Sequence, residues 1–326
     1  MNNSSETPEL PEMLKDYKST AISVDLKSSD LKAHFYVQII ESSKLFSLFK
    51  GITVNRDIVL GIPDSPALLW SAAQNMQNYW KLLQDTLDKE TLELIKEGFH
   101  SVKTEYGIDL ETELINNLGS NFSAGIYDGM SINMGNINTL ISLEFKEPAK
   151  MVSLIEKAIA KIPEEQQQMV NRLDIKGSKV YMVPVGPLQL YAGFKGNHLV
   201  VTMGKPMFEK GLDADPSKGF LNSIKDKTLK DGLKNEISVF YMDLKEVFYT
   251  VKNFIPMLMT LSEDASIVMT PEFQKLADLF HYVSFIAKAG KDEMKGDFVI
   301  KTGFDKPFFK GVKDVSDKIG EMKQTK

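Results

Sequence analysis

An α+β fold is predicted: largely antiparallel sheet, built from repeated strand–helix units and packed against helices. Three observations lead there. First, a strand that runs through a short polar hinge into a helix recurs five times along the chain. Second, the turns between the remaining strands are tight and Gly-containing, which is hairpin chemistry. Third, 43% hydrophobic and 25% charged residues over 326 positions describe a chain able to bury a sizeable core. Hairpins with interspersed helices favour α+β over a doubly wound parallel sheet.

The hinges are specific. Thr139–Phe145 reads as a strand and Lys146-Glu147-Pro148 opens a helix; His198–Met203 is followed by Lys205-Pro206, and Asp297–Lys301 by Asp305-Lys306-Pro307. Proline suits the first helical turn, where its missing N–H would be unpaired anyway. Two copies lack the proline: His34–Ile40 into Ser42-Ser43-Lys44, and Ile237–Met242 into Asp243.

In chain order, Ala21–Leu26 alternates weakly and reads as a first strand, before a turn at Ser28-Ser29-Asp30. A short helix with Leu45, Phe46, Leu48 and Phe49 closes at Gly51. Asp64-Ser65-Pro66 reads as a helix start, with Leu68, Leu69, Ala72, Met76, Tyr79, Trp80 and Leu83 at helical spacing. Asp88 or Thr91 begins a second helix, and Asp109 a short third one that Leu118-Gly119 closes as a left-handed C-cap. Phe122–Tyr127 and Thr139–Phe145 read as antiparallel strands, and the helix from Pro148 to Ala160 ends at Ile162-Pro163. Leu173–Ile175, Val180–Val185, Leu188–Phe194 and His198–Met203 form a meander, with turns at Lys176-Gly177-Ser178 and Lys195-Gly196-Asn197. Helix Phe220–Lys225 leads to the strand at Ile237, and the helix from Leu244 is disturbed at Pro256. Pro271 opens another helix, Tyr282–Ala289 and Gly296–Thr302 pair around Gly290-Lys291-Asp292-Glu293, and a helix with Phe308, Val312, Val315 and Ile319 comes last.

The polar residues 1–17 read as a flexible leader. Asp213–Gly219 is the expected boundary between an N-terminal lobe, 18–213, and a C-terminal lobe, 214–326, the alternative being one continuous domain. The leader is either an ordinary disordered terminus or the stretch that follows a removed export or lipid-anchor segment.

Composition excludes several chemistries. With no cysteine there is no disulfide, thiolate metal site, Cys nucleophile or iron–sulfur cluster. A net charge of -5, with Lys interleaved among Asp and Glu, argues against a nucleic-acid partner. Arg56 and Arg172 are the only arginines, which argues against an Arg-based anion site. No apolar run is long enough for a membrane-spanning helix.

Catalytic signatures are absent. His34, His100, His198 and His281 show no metal-ligand spacing. Ser71, Ser101 and Ser178 lack a nucleophile elbow, and Gly186-Pro187 and Gly204-Lys205-Pro206 are not phosphate loops. Asp128, Glu144 and Glu147 read as solvated strand ends, and Asp213, Asp215 and Ser217 lack the Gly and bidentate Glu of a calcium loop. No cofactor or metal is expected. One region invites a binding role: Phe254, Met257, Leu258 and Met259 beside Pro256, where Met suits an adaptable apolar surface. The competing reading is ordinary core around a Pro-broken helix.

The order of short motifs then resembles a family. Gly107-Ile108-Asp109-Leu110, Leu118-Gly119 with Phe122–Ile126, Leu143–Lys150, Val180-Tyr181, Leu199–Thr202, Ser238–Leu244 and the Tyr282–Thr302 hairpin together resemble the bacterial domain of unknown function 3352, over about residues 105–305. The resemblance implies an exported or membrane-tethered protein, in periplasm or at the cell surface, and no activity. The resulting expectation is a non-enzymatic extracytoplasmic binding protein, of lipoprotein type, for an apolar ligand such as lipid or hydrophobic peptide. Its alternatives are a structural or protein-interaction component of the cell envelope, and a hydrolase with a scattered site.

Overall fold

The computed structural model describes residues 17–40, 43–127, 138–249, 270–290 and 292–324. Its strands are β1 (Tyr17–Asp25), β2 (Leu31–Ile39), β3 (Pro66–Ala73), β4 (Leu118–Tyr127), β5 (Thr139–Phe145), β6 (Asn171–Ile175), β7 (Ser178–Val185), β8 (Leu188–Lys195), β9 (His198–Met203), β10 (Ser238–Asp243), β11 (Phe280–Ala289) and β12 (Glu293–Thr302). They form one 12-stranded sheet in the order β1-β2-β12-β11-β10-β3-β4-β5-β9-β8-β7-β6. Every neighbouring pair is antiparallel. The α+β class with a large antiparallel sheet packed on helices is what the hinges and hairpins predicted.

The helices are α1 (Lys44–Ser47), α2 (Asp57–Leu60), α3 (Met76–Thr86), α4 (Lys89–Tyr106), α5 (Pro148–Lys161), α6 (Glu164–Gln167), α7 (Lys205–Asp213), α8 (Lys227–Asn235), α9 (244–249), α10 (Pro271–Ala277) and α11 (Phe308–Gln324). All five strand–helix units are present: β5 into α5, β9 into α7, β12 into α11, β2 into α1 and β10 into α9. Pro148 and Pro206 sit in the first turns of α5 and α7. Asp88 caps α4 through a bond from the Thr91 N–H, and left-handed Gly107 ends it with its N–H on Lys103 O.

Four expectations are corrected. Pro66 opens strand β3, where its missing N–H is tolerated at the first position. Ala67, Leu69, Ser71 and Ala73 are buried in alternation, so the period is two and the helix starts only at Met76. Leu118-Gly119 begins β4 and is no C-cap; a Cβ on Gly119 would sit 2.4 Å from Glu144 Cγ. Phe220–Asn222 is a single 3-10 turn, and the helix lies beyond it in α8, capped by Asp226. Tyr17, assigned to the leader, starts β1.

The segment around the expected lobe boundary folds back on the chain before β3. The Asp215 N–H donates to Gly61 O at 2.9 Å and the Phe220 N–H to Ile62 O at 2.8 Å. A Cβ on Gly219 would lie 2.0 Å from Leu60 O, so only glycine permits this approach. Beyond it, β10 inserts between β11 and β3, so both expected halves contribute to one sheet.

Register sorts the sheet into two faces. On one face, Leu69, Leu140, Val200 and Val239 join Val59, Leu60 and Ile62 with Met207 and Phe208 of α7 and Leu229 and Leu233 of α8 in the main core. A buried polar lane crosses it. Ser71 of β3, Ser123 of β4 and Ser142 of β5 are cross-strand neighbours, with Ser71 Oγ 3.0 Å from Ser123 Oγ. Arg56 closes one end: its Nε donates to Ser71 Oγ at 2.7 Å, Nη1 to Leu233 O at 3.2 Å, and Nη2 to Glu236 O. The guanidinium thus ties carbonyls at the end of α8 to the sheet. Burial lowers its pKa to about 10, so it stays charged at neutral pH.

Candidate functional site

The opposite face carries an unbroken cross-strand row: Val24, Ala33, Phe298, Phe285, Phe240, Trp70, Ala124, Ile141, Val201, Ala192, Tyr181 and Arg172. Only the last residue is charged. The row exists because each strand alternates, so one register places all the apolar partners on one side. At its Arg172 end, α5 closes over it. Glu156 of α5 accepts from Arg172 Nη2 at 2.7 Å, Lys179 Nζ at 2.5 Å and Tyr181 Oη at 2.9 Å. These donors, Arg172 first and Lys179 next, pull the Glu156 carboxyl down to about 2.

In mid-sheet the cover gives way. Trp70 is 49% exposed and Ile141 39%. Beside them a cavity of about 220 Å³ is lined by Trp70, Ala72, Met76, Leu118, Phe122 and Leu143, with Gln74, Ser120, Asn121 and Glu144 at its polar rim. Trp70 and Phe122 meet edge to face with centroids 4.9 Å apart, which fixes the indole as one wall. A register shift between Leu118 and Phe122 opens the space, since two extra residues of β4 face β5 there. The Glu144 carboxylate fills that bulge: Oε2 accepts the Ser120 N–H at 2.9 Å, the Asn121 N–H at 3.0 Å and Asn121 Nδ2 at 2.6 Å. This acid is therefore a strut with its donors in place.

Other residues weighed from sequence fall apart in space or serve the fold. Phe254, Met257, Leu258 and Met259 lie outside the described residues, as do Pro256 and Asp128. Ser71 belongs to the Arg56 lane. His34 Nδ1 donates to Asp297 at 2.7 Å. His198 is buried, with Nδ1 3.1 Å from Ser142 Oγ and Nε2 without a partner. Burial lowers its pKa, against the pull of Glu144 and Asp57. Asp215 turns onto Ser217, and Asp213 pairs with Lys176. Both arginines are taken up by protein partners. Among the described residues no group of three or more His, Asp or Glu is placed to hold a metal, and no helix is long and apolar enough to cross a membrane. The Trp70 cavity escaped sequence reading because its walls come from β3, β4 and β5, which only the register brings together.

Fold and site together define an α+β protein with one enclosed sheet face and one apolar face that opens around a tryptophan. The chain belongs to the family described as "Protein of unknown function (DUF3352)", whose profile matches residues 1–277. The match begins well before the resemblance read from residue 105 onward, and ends before the β11–β12 hairpin that the resemblance included. No curated protein matches the sequence. Among solved structures, crystal form III of TP0453 is similar at 8% identity and a TM-score of 0.35, covering 76% of this chain and 80% of that one.

Proposed function

We propose that this chain is a non-enzymatic, extracytoplasmic binding protein that shelters the apolar chain of a lipid against the open face of its sheet. The supporting observation is the cavity of about 220 Å³ walled by a half-exposed Trp70. A cavity of ~150 Å³ already accommodates benzene, whereas whole drug-sized ligands need ~300 Å³ or more. The space therefore suits the end of an acyl chain, with the rest of the lipid outside. A peptide is disfavoured at this point. Strands β3, β4 and β5 are internal, so their backbone groups are spent on neighbours and offer no ladder to an added strand. Extracytoplasmic location and a membrane tether belong to the same proposal and rest on the exported character that the family resemblance implies.

The experiment uses the indole as reporter. In a Trp80→Phe background, vesicles or micelles of a bromine-labelled acyl lipid should quench Trp70 fluorescence saturably, and native mass spectrometry should show a carried lipid. Unquenched Trp70 with a clean protein mass overturns the proposal. Quenching by an apolar peptide and not by lipid would transfer the site to a protein partner.

One observation favours a protein-interaction role. Edge strand β1 is exposed along all nine of its residues, and Ile22 and Val24 lie bare on its apolar side. Such an edge is a template for strand addition.

A further inference from the structure

The enclosed face of the sheet turns polar toward β1, and there it forms a second cleft. It lies under α8, between that helix and strands β1, β2, β12 and β11, with a volume of about 450 Å³. This falls within the ~300–1,000 Å³ of ordinary small-molecule sites. Alternation again places the groups: Asp25, Lys32, Val299 and Ser284 form one cross-strand row, and His34 and Asp297 the next.

Most polar groups of the cleft are occupied by one another. Asp30 accepts Lys301 Nζ and the Thr302 N–H, each at 2.9 Å. Asp226 accepts the Leu229 N–H at 3.1 Å and Tyr282 Oη at 3.0 Å. His34 Nδ1 donates to Asp297 Oδ1 at 2.7 Å. Asp25 Oδ1 accepts the N–H groups of Lys27 and Ser28 at 2.9 and 3.1 Å. Four groups are left over. The Ser284 hydroxyl, on a residue only 2% exposed, has no hydrogen-bond partner among the described residues and lines the cleft. Among the described residues Lys32 Nζ has no carboxylate within ion-pair distance, although Asp25 lies across the strand pair. Asp25 and Asp297 each keep one oxygen uncommitted.

The Ser284 hydroxyl reaches into the cleft from a residue otherwise packed in the sheet, so a polar group bound in the cleft is its available complement. Four carboxylates, Asp25, Asp30, Asp226 and Asp297, stand against two lysines, Lys32 and Lys301. The excess is negative and calls for a cation; the one uncommitted ammonium calls for an anion. We propose that this cleft binds a small zwitterion of amino-acid to dipeptide size, its ammonium on the free oxygen of Asp297 and its carboxylate at Lys32, with Ser284 bonding between them. Leu229, Ile286 and Val299 supply the apolar wall. The site is on the other side of the sheet from the Trp70 cavity and independent of it.

The test follows the His34 imidazole by NMR, assigned through His34→Gln, while the full chain is titrated with glycylglycine, putrescine and inorganic phosphate. Glycylglycine at millimolar levels should shift the His34 signals saturably, putrescine more weakly, and phosphate not at all. Lys32→Met should weaken glycylglycine about tenfold and leave putrescine unchanged, whereas Asp297→Asn should weaken both about tenfold. Melting temperatures of the variants separate lost binding from lost fold, and Ser284→Ala, which removes one hydroxyl, serves if Asp297→Asn does not fold. No saturable shift with glycylglycine overturns the proposal. So does a shift that Lys32→Met leaves unchanged, or putrescine binding more tightly than glycylglycine.

Discussion

On β3 and β5, Leu69 and Leu140 are fully enclosed, while Trp70 and Ile141, one residue further along each strand, keep 49% and 39% of their surface. The four side chains are all large and apolar, and hydrophobicity does not distinguish them. What differs is what lies across from them. Leu69 and Leu140 face α2, α7 and α8, in a core with Tyr127, Phe208 and Leu233. Trp70 faces the cavity beside the β4 bulge, and Ile141 lies two strands away in the same exposed row. The first pair holds the fold together, and the second is surface that the fold does not need. An exposed apolar patch on a paired, internal part of the sheet requires an explanation beyond stability.

The largest expected effect tests this division directly. Leu69→Ala should destabilise the protein by about 2–5 kcal/mol, as for other buried large-to-small changes, whereas Trp70→Ala should cost less than about 1 kcal/mol. Denaturant unfolding of both variants decides it. A Trp70→Ala cost as large as that of Leu69→Ala would return the open face to the core and remove the case for a site there.

Next in size is the polar lane on the enclosed face. Arg56→Met removes the donors to Ser71 Oγ, Leu233 O and Glu236 O and leaves buried acceptors unpaired. Leaving buried acceptors of this kind unpaired, after water and neighbouring groups re-satisfy part of them, costs about 1–3 kcal/mol. The stability of Arg56→Met should fall by about that amount, and hydrogen exchange should quicken first in α8, which the guanidinium anchors to β3. A uniform loss of protection across the sheet would show that the lane is generic core.

The sheet was legible because its cues are local. Pro148, Pro206 and Pro307 mark hinges, and Gly177 and Gly196 mark turns, each within a few residues of sequence. Failures came where a local cue has two physical meanings. Pro66 fits the first turn of a helix and equally the first position of a strand, and only the burial of Leu69 in the main core selects the strand. Gly119 looked like a helix stop because Leu-Gly often is one, yet this glycine exists to admit the Glu144 side chain. Helix α8 carries a weak sequence signal because its polar residues outnumber the apolar ones, although Leu229 and Leu233 lie one turn apart on its core side. The Trp70 cavity and the zwitterion cleft were beyond reach for one reason: both are defined by cross-strand neighbours distant in sequence.

Acid separates the two faces in a further way. His198 is buried beside Ser142, and burial lowers its pKa below 6.5. In that range the unfolded chain binds more protons than the folded one, so stability rises with pH. Its contribution is complete above about pH 6.5 and is lost as pH falls from there toward the depressed folded value. Glu156, on α5, has its own window: its contribution is present above 4.5 and is lost as pH falls toward about 2. His198→Gln should flatten the first limb of a stability–pH profile and leave the second, and Glu156→Gln should do the reverse. If His198→Gln leaves the first limb unchanged, the imidazole is hydrated in solution and the polar lane is open at that end.

The smallest expected effect on stability concerns the far end of the apolar row and has the most to say about interaction. Ile22 on β1 is 68% exposed, beside Val24, on an edge strand whose middle has neither proline nor bulge. Ile22→Lys places a charge where edge strands commonly carry one to resist pairing. Since the residue touches little, stability should change by less than about 0.5 kcal/mol. If β1 is a docking edge, the same substitution should abolish any concentration-dependent association seen for the unaltered chain by sedimentation, or any strand-addition partner recovered with it, while Trp70 quenching by labelled lipid is unaffected. Loss of lipid quenching together with loss of association would mean that the edge and the cavity act as one surface. Association that survives Ile22→Lys would place the contact elsewhere and leave the Trp70 cavity as the only functional claim on the open face.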